Sequence, residues 1–389
     1  MKLLDKNILL ILEYGALGGA QRQAFGLAKY LSEKNNCNVD LLLVRSSFET
    51  QEFTEFKINS KIRNTYFFGE PYLFLPYEFK FKNLKRIKWN LQYLFKLRRG
   101  LISNDYDLII PYLNYSSKIA YFLYKLLPTV KTTFWHQLGL DILKYDIIEK
   151  FVAKNIPFVI GNATNCFDIF KNEYPINQNK LNLLPQYLTL EVKRKDKNLI
   201  KQDLKIPSNA IVIGMIAHYR IDKYFDLVLD AFANSLNQTN QIIHLVLLGN
   251  KDNDEASFHI YNNLINKTER LKIANHVSVL SGNDVIDILN ILDVSVLMSQ
   301  IEGMPNSVME YMAFGLPAIV SNHLGCIQLL EDSEYLIPND ITILQAKLLK
   351  LIENESERIL EGNLNENRIK KFNLPNYVSQ MENIINTYL

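Results

Sequence analysis

Short aliphatic runs alternate with amphipathic stretches of helical period along the whole chain. Strands that alternate with crossover helices are typical of parallel sheets, so the pattern predicts an α/β fold. In the first half the predicted strands are Asn7–Leu12, Val39–Val44, Leu108–Pro111, Thr132–Trp135 and Phe158–Ile160, and the helices are Ala20–Lys34, Leu84–Arg99 and Ser116–Leu126. In the second half the strands are Ala210–Ile216, Ile243–Leu248, Val277–Val279, Val294–Leu297 and Ala318–Val320, and the helices are Tyr224–Leu236, Ala256–Arg270, Asn306–Phe314 and Thr342–Ile352.

The length of 389 residues and one polar interruption predict two domains. The stretch Glu191 to Asp203 is charged and poor in apolar residues, and it separates the two series of strands. We therefore expect an N-terminal domain at 1–190, a linker at 191–205, a C-terminal domain at 206–372 and a closing amphipathic helix within 373–389.

The composition argues against several classes of protein. With 48% hydrophobic and 22% charged residues, the chain is typical of a globular protein and unlike a disordered one. Cys37, Cys166 and Cys326 stand far apart, which argues against a disulfide framework and a zinc site. The apolar run near Met1 lacks a cleavage site, and no run approaches the roughly 20 residues that cross a bilayer, so we expect a cytoplasmic protein.

The formal net charge of +2 conceals an asymmetry between the two halves of the chain. Residues 1–190 carry 25 Lys and Arg against 16 Asp and Glu, whereas residues 191–389 carry 18 against 25. The excess of positive charge favours an anionic partner for the first half. The alternative is a chance distribution of charge over solvated faces.

A glycine-rich turn, Tyr14 to Ala20, leaves the first predicted strand and opens the first helix. Gly18 and Gly19 would let a ligand approach the backbone, and a helix N-terminus offers free N–H groups to negative charge. The glycine spacing does not fit the Gly-x-Gly-x-x-Gly pattern of dinucleotide-binding folds. A tight turn without a ligand is the alternative.

Two cations, Arg220 and Lys223, follow the first predicted strand of the second half. Sheets of this class bind ligands beyond the carboxyl ends of their strands, so the pair could hold a diphosphate and stabilise a departing nucleotide. A solvated basic turn is the alternative.

The strongest candidate is the segment Ser299 to Pro317, where a strand ends, a loop turns and a helix begins. Pro305 suits the first turn of a helix, which puts Glu302 on the loop and Glu310 on the helix. A buried carboxylate can accept hydrogen bonds from the paired hydroxyls of a ribose or hexose. The backbone that faces the same space, at the positive end of the helix dipole, belongs to Gly303, Met304, Pro305, Asn306 and Ser307.

The order of residues from Glu302 to Pro317 strongly resembles the signature of family 4 (group 1) retaining glycosyltransferases. In that signature Glu-Gly-x-Pro-Asn opens a motif of Glu, seven residues and Glu, which is followed by Ala-x-Gly-x-Pro. Other parts of the chain that resemble the family are Gly18–Arg22, Ile216–Lys223, Leu247–Asn250 and the tail Leu374–Leu389, which is similar to a C-terminal helix that crosses back to the N-terminal domain. The resemblance implies a GT-B fold, with two Rossmann-like parallel-sheet domains that face each other across a cleft.

The resemblance also implies a role for each matching residue. Glu310 would bind the ribose hydroxyls of the donor nucleotide, and Glu302 would contact hydroxyls of the transferred sugar. Arg220 and Lys223 would hold the diphosphate in the donor-binding domain, and the loop Gly18-Gly19 of the acceptor-binding domain would close on it.

A histidine and three departures from the family pattern complete the candidate site. His136 lies where family members often have an active-site histidine, although a lone histidine after a strand is commonly structural. His218 stands where many members have a basic or small residue. The segment Gly325–Gln328 replaces a commoner Gly-Gly-x-x-Glu, and Leu184–Tyr187 replaces the usual Pro-Asn-Gly at the hinge.

The implied reaction moves a hexose or N-acetylhexosamine from a nucleotide diphosphate sugar, with UDP-sugars favoured, and retains the anomeric configuration. The implied acceptor is a glycan or lipid-linked glycan in the synthesis of bacterial surface polysaccharide, lipopolysaccharide or glycoconjugate. No metal ion and no cofactor is expected, because the cationic pair replaces a metal at the diphosphate. Two rival functions stay open: a glycoside hydrolase that uses Glu302 and Glu310 as acid and base, and a catalytically silent sugar-nucleotide binding module.

Eight basic residues and no acidic one lie between Phe79 and Gly100, namely Lys80, Lys82, Lys85, Arg86, Lys88, Lys96, Arg98 and Arg99. The pattern predicts that Leu84, Ile87, Leu91 and Leu94 line one face of a helix. The segment 80–99 could dock peripherally at an anionic membrane surface on the inner face of the cell membrane, or it could be a sheet-packing helix with a solvated basic face. Nucleic acid is disfavoured, because no aromatic and basic sheet motif accompanies the charge.

Overall fold

The chain divides into two compact units. The computed structural model describes residues 1–70, 73–76, 81–140, 146–174, 176–252 and 254–389, and the side chain of Lys82 is not among what it describes. The first unit comprises Met1–Thr189 with Phe372–Leu389, and the second unit comprises Leu190–Lys371.

The first unit is built on parallel strands with helices between them. Its strands are β1 (Asn7–Leu12), β2 (Asn38–Leu43), β3 (Thr65–Phe67), β4 (Leu108–Pro111), β5 (Trp135–Gln137), β6 (Val159–Gly161) and β7 (Leu181–Leu183). Its helices before the second unit are α1 (Gly19–Lys34), α2 (Gln51–Asn59), α3 (Lys82–Leu101), α4 (Leu113–Leu126), α5 (Ile147–Asn155) and α6 (Asp168–Asn172). The strands form a parallel sheet in the order β3-β2-β1-β4 and a smaller parallel sheet in the order β5-β6-β7.

Strand β1 is buried on both faces of its sheet. Leu10 packs into a cluster with Leu27 of α1, whereas the next residue, Ile11, packs into a second cluster with Leu97 of α3 and Ile119 of α4. Successive side chains of a strand point to opposite faces, so this division requires helices on both sides. The continuous aliphatic run that predicted the strand is a consequence of that double burial.

The second unit contains one six-stranded parallel sheet with helices between its strands. The strands are β8 (Ile211–Ile216), β9 (Ile243–Gly249), β10 (Val277–Ser281), β11 (Val294–Leu297), β12 (Ala318–Ser321) and β13 (Leu336–Ile337). The helices are α7 (Lys197–Asp203), α8 (Phe225–Leu236), α9 (Glu255–Arg270), α10 (Val285–Ile291), α11 (Asn306–Ala313), α12 (Leu324–Leu330), α13 (Ile341–Glu353) and α14 (Glu355–Ile369). The chain then continues into α15 (Leu374–Thr387), which belongs to the first unit.

The strand order of the second unit is β10-β9-β8-β11-β12-β13. The chain builds outward from β8 through β9 to β10, returns to the other side of β8 with β11, and then builds outward through β12 to β13. The boundary between β8 and β11 is therefore the point where the strand order reverses. Ligands of open α/β sheets bind at the carboxyl ends of the strands beside such a boundary.

The stretch predicted as a linker is structured within the second unit. Helix α7 begins there, with the side chain of Asp196 accepting hydrogen bonds from the first turn. Lys197 Nζ lies 2.6 Å from Asp293 Oδ1, and Lys201 Nζ donates to the backbone oxygen of Ala210 at 2.7 Å. The charges that made this stretch resemble a linker are the groups that attach it to the second unit.

The residues predicted to line one face of helix α3 are divided in the structure. Leu84 and Leu91 are exposed, whereas Leu94 is buried. The buried residues lie about one position further round the helix, at Asn83, Asn90, Tyr93, Leu94, Leu97 and Leu101. A helix buries one stripe of residues, and the large side chains in the second half of α3 set which stripe that is. Lys80, at the start of the predicted basic segment, lies outside the described residues.

Among the described residues, no helix combines the length and the hydropathy that crossing a membrane requires.

Candidate functional site

Two loops of the second unit meet at the boundary between β8 and β11. The backbone N–H of Tyr224 donates to the oxygen of Met298 at 2.9 Å, and the N–H of Gln300 donates to the oxygen of Asp222 at 2.8 Å. These bonds make a short antiparallel pairing between the two strand exits. The sheet thereby joins two segments that are far apart in sequence.

Lys223 and Glu302 form an ion pair at this junction. Lys223 Nζ donates to Glu302 Oε1, and a second carboxylate, Asp222 Oδ2, lies 3.8 Å from the same nitrogen. Both side chains of the pair are mostly buried. A carboxylate that is held by a neighbouring ammonium group in this way keeps a defined orientation toward the strand ends.

Arg220 occupies a different environment from Lys223, although sequence analysis assigned both to one task. Its Nε donates to Asp222 Oδ1 at 2.8 Å, while the side chain as a whole is 60% exposed. The terminal guanidinium nitrogens make no hydrogen bond to the part of the chain that the structure describes. One candidate cation is therefore embedded in an ion pair, and the other extends into solvent.

Helix α11 carries Glu310, whose side chain is buried. The next residue, Tyr311, fastens this helix to the sheet, because its hydroxyl accepts a hydrogen bond from the backbone N–H of Ile216 at 2.7 Å. Burial raises the pKa of Tyr311, so the hydroxyl stays protonated and neutral. Helix α11, which carries Glu310, is thus attached to the end of β8.

Pro305 is the N-cap of α11, and the helix itself begins at Asn306, the residue at which the predicted helix starts. The N-cap residue Pro305 supplies no side-chain cap of its own. The backbone N–H groups of a helix start carry partial positive charge and attract anions. The backbone from Gly303 through Met304 to Asn306 and Ser307 leads directly into this end of the helix.

The start of α12 packs against the loop that carries Glu302. A Cβ atom on Gly325 would lie 1.4 Å from the backbone oxygen of Gly303, so only glycine fits at position 325. Cys326, which takes the place of the family's second glycine, is buried, and burial together with the nearby Glu302 charge raises the pKa of its thiol well above the usual range. This neutral thiol fills space beneath the loop.

Three polar side chains that sequence analysis did not select hold the backbone of Ser299. His323 Nε2 and Asn339 Nδ2 donate to the Ser299 oxygen at 2.9 and 2.8 Å, and the Ser299 N–H donates to Ser321 Oγ at 2.9 Å. All three end or follow strands at the same edge of the sheet, and this position in the sequence could have marked them as candidate site residues. Their effect is to set the direction in which the chain leaves β11 toward Glu302.

The glycine turn of the first unit leads into α1 as the sequence suggested. Gly18 is the N-cap of α1 and provides no side-chain cap, and Gly19 is the first residue of the helix. A Cβ atom on Gly15 would lie 2.2 Å from the backbone oxygen of Phe48, so the turn is held tightly against the loop after β2.

His136 is the central residue of β5 and not a residue after a strand, because the strand begins at Trp135 and not at Thr132. Its ring is buried between Tyr112 and Phe134, and Nδ1 donates to the backbone oxygen of Pro111 at 2.9 Å. Burial lowers the pKa of His136 to about 4, so the imidazole is neutral near pH 7, with the lone pair on Nε2.

Most of the candidate site residues lie in a part of the chain that matches a known protein family. Residues 196–371 match the family model for glycosyl transferases, group 1. This part of the chain is therefore similar to the glycosyl transferases of group 1. The matched residues include Arg220, Lys223, Glu302 and Glu310, whereas the glycine turn and His136 lie outside them.

Two curated relatives are similar in sequence to parts of the chain. One is UDP-Gal:alpha-D-GlcNAc-diphosphoundecaprenol alpha-1,3-galactosyltransferase of Escherichia coli, 27% identical over 254 residues, with 62% of this chain and 63% of that protein aligned. Another is mannosylfructose-phosphate synthase of Agrobacterium fabrum (strain C58 / ATCC 33970), 22% identical over 185 residues, with 46% and 40% aligned. The chain thus spans less than two thirds of the length of either relative.

Similarity in structure extends beyond residues 196–371 to nearly the whole chain. The crystal structure of Anabaena HepE in complex with UDP and glucose superposes with a TM-score of 0.76 at 16% identity, covering 98% of this chain and 100% of that one. At this identity the likeness shows the fold. The predicted α/β fold of the GT-B class, with two Rossmann-like domains, is confirmed.

Proposed function

We propose that this chain is a family 4 retaining glycosyltransferase that moves a hexose or an N-acetylhexosamine from a nucleotide diphosphate sugar to a glycan or lipid-linked glycan. A UDP-sugar is the favoured donor, and the setting is the synthesis of bacterial surface glycans. The Escherichia coli relative is named for UDP-galactose and a diphosphoundecaprenol acceptor, and HepE was solved with UDP and glucose, which supports both choices.

One observation carries the proposal. Inside the matched domain, at the boundary where the strand order reverses, Lys223 is paired with Glu302, and a second buried carboxylate, Glu310, lies on the following helix. A cation, an oriented carboxylate and the positive end of a helix dipole are groups that suit a diphosphate attached to a sugar.

The cationic groups would act on the leaving diphosphate. Negative charge grows on the diphosphate oxygens as the bond to the sugar breaks, and a fixed ammonium group stabilises that charge. Lys223 Nζ has three N–H donors, so it can hold Glu302 and still donate to a phosphate oxygen. Arg220, which extends into solvent, would add a second contact when the donor binds.

The two glutamates would bind hydroxyl groups. Glu310 sits on a helix that is fastened to β8, so its carboxylate can accept from the paired hydroxyls of a ribose without being reoriented. Glu302 is oriented by Lys223 and would accept from hydroxyls of the transferred sugar. Hydrogen bonds to a charged acceptor contribute roughly 1.5–3 kcal/mol each.

The ion pair also weighs against hydrolysis of glycosides by an acid and base pair of glutamates. A general acid must bring a proton to the leaving oxygen. Lys223 already donates to Glu302, so this carboxylate is engaged as a hydrogen-bond acceptor. In a glycoside hydrolase the two cations would have no task.

A panel of UDP-, GDP- and ADP-sugars, with release of nucleoside diphosphate as the measurement, tests the proposal. We expect release from a UDP-sugar, and we expect Glu310→Gln to lower kcat/KM by about a hundredfold or more through loss of the ribose hydrogen bonds. Glu269→Gln changes an exposed glutamate of the same domain and serves as the control, with activity unchanged.

Four results would contradict parts of this proposal. Release of p-nitrophenol from p-nitrophenyl glycosides, without release from nucleotide sugars, would favour the hydrolase. Stabilisation by UDP without turnover of any donor in the panel would favour a silent binding module. A product with inverted anomeric configuration by NMR would exclude retention, and loss of activity in EDTA that Mg²⁺ restores would exclude metal-independent transfer.

A further inference from the structure

Helix α3 of the first unit presents apolar side chains to solvent along one face. Phe81, just before the helix, and Leu84, Leu91 and Phe95 within it are exposed, Phe95 by 64%. Their spacing of three, seven and four residues puts them on a single face. The buried stripe that packs into the first unit lies about one residue further round the helix, so α3 carries apolar side chains on two of its faces.

Cations occupy the same outward face. Lys88 lies one turn after Leu84 and one turn before Leu91, and Lys85 and Arg99 also point outward. These three cations make no hydrogen bond or ion pair with any described residue, whereas Lys96 donates to the backbone oxygen of Phe68. Helix α3 contains no acidic residue to neutralise them.

We propose that this face of α3, from Phe81 to Arg99, docks on an anionic lipid bilayer. Apolar side chains would enter the boundary between headgroups and acyl chains, and the cations would lie among the lipid phosphates. Trp89, at the flank of the face and 58% exposed, is the type of side chain that favours this boundary.

The charge of the face selects a bilayer over other occupants. A second copy of the chain docked through the same face would bring lysine against lysine, without an acid on either helix. Leu84 and Leu91, which alternate with the cations, give a nucleic acid no stacking surface, whereas the acyl boundary of a bilayer accepts leucine and aromatic side chains alike. The inference goes beyond the proposed function, because it concerns where the chain is held and does not involve the residues of the donor site.

Sedimentation with vesicles measures the contribution of the cations. Full-length protein is mixed with vesicles of phosphatidylcholine alone or with about a third of the lipid replaced by phosphatidylglycerol. We expect binding to the anionic vesicles that falls as salt is added. Because each cation near an anionic surface contributes roughly a factor of five, the triple variant K85Q/K88Q/R99Q should bind about a hundredfold more weakly.

The matched control is K2Q/K29Q/K34Q, which removes the same charge from exposed positions elsewhere in the first unit. We expect it to bind vesicles nearly as well as the unchanged protein. Equal weakening by both triple variants would show that net charge alone is responsible, and it would overturn the assignment of this face. Equal binding to neutral and anionic vesicles would overturn it as well.

The apolar side chains are tested with an intrinsic probe. The chain has two tryptophans, and Trp135 is fully buried, so a blue shift of emission on adding anionic vesicles reports Trp89. We expect this shift to be lost in Leu91→Gln/Phe95→Gln, whose far-UV circular dichroism should match that of the parent. If that variant instead abolishes dimers and keeps vesicle binding, the face is an interface between copies and the proposal is wrong.

Discussion

The carboxyl ends of the strands in the two units carry different chemistry on similar frameworks. In the second unit Lys223 and Glu302 are charged, paired and mostly buried beside the helix of Glu310. In the first unit the buried ring of His136 is neutral, because burial lowers its pKa to about 4, and the main loop is the Gly18-Gly19 turn. The second unit therefore offers fixed charge, whereas the first offers backbone groups and a neutral acceptor nitrogen.

The largest expected effect comes from breaking the charged pair. Lys223→Met leaves Glu302 without its ammonium partner in a mostly buried place, which typically costs 3–5 kcal/mol of unfolding free energy. We also expect kcat to fall by about two to three orders of magnitude, since leaving-group stabilisation is lost. Calorimetry and steady-state kinetics measure the two effects.

The double variant Lys223→Met/Glu302→Gln separates stability from catalysis. Removing both charges should recover most of the stability, because no unpaired charge remains buried, while activity stays low. Recovery of activity in the double variant would mean that Lys223 serves only to neutralise Glu302. It would thereby exclude contact of Lys223 with the diphosphate.

This pair could not be predicted from the sequence, although each member was selected. Lys223 and Glu302 are 79 residues apart, and only the strand order that puts β11 next to β8 brings them together. The strand positions themselves could be predicted, because each central strand is buried on both faces and reads as an aliphatic run. Helix α14 was not predicted from the sequence, because its buried stripe includes polar residues such as Glu361 and Asn365 and gives no apolar periodicity.

Local pattern was also insufficient where two stripes compete within one helix. In α3 the leucines at 84 and 91 formed a heptad as regular as that of Asn83, Asn90 and Leu97. Packing against the rest of the first unit decides between them, and the sequence of the helix contains no information on that packing. The basic residues of the segment can be read from the sequence, but the structure was needed to tell which of its apolar residues are exposed.

The next expected effect is a dependence of the stability of the first unit on pH. In the unfolded chain His136 has the ordinary pKa of 6.5, and in the folded chain the pKa is about 4. Its contribution to stability is complete above pH 6.5 and is lost as pH falls toward 4, because only the unfolded state takes up the proton there. The free energy of unfolding should decline by roughly 1.4 kcal/mol per pH unit across that window.

Denaturant unfolding followed by tryptophan emission measures this dependence, since both tryptophans belong to the first unit. His136→Asn keeps a donor for the Pro111 oxygen and should flatten the acid side of the curve. His259→Asn, at an exposed position of the second unit, should leave it unchanged. An unchanged acid slope in His136→Asn would show that the ring is protonated in the folded state or that other groups dominate.

The smallest expected effects come from replacing one glycine in each unit, Gly325 beside the loop of Glu302 and Gly18 in the turn before α1. Alanine at Gly325 would push its Cβ into the Gly303 backbone, which cannot move without shifting the loop of Glu302, so we expect a loss of about 1–3 kcal/mol in stability and a higher donor KM. Alanine at Gly18 would meet the flexible end of Gln21 at 3.0 Å and should cost much less. Thermal unfolding and the donor KM, measured for both variants, give the two changes in stability and in donor binding. If Gly18→Ala leaves the donor KM unchanged, the first-unit turn does not approach the diphosphate, and fixed charge in the second unit is sufficient for donor binding.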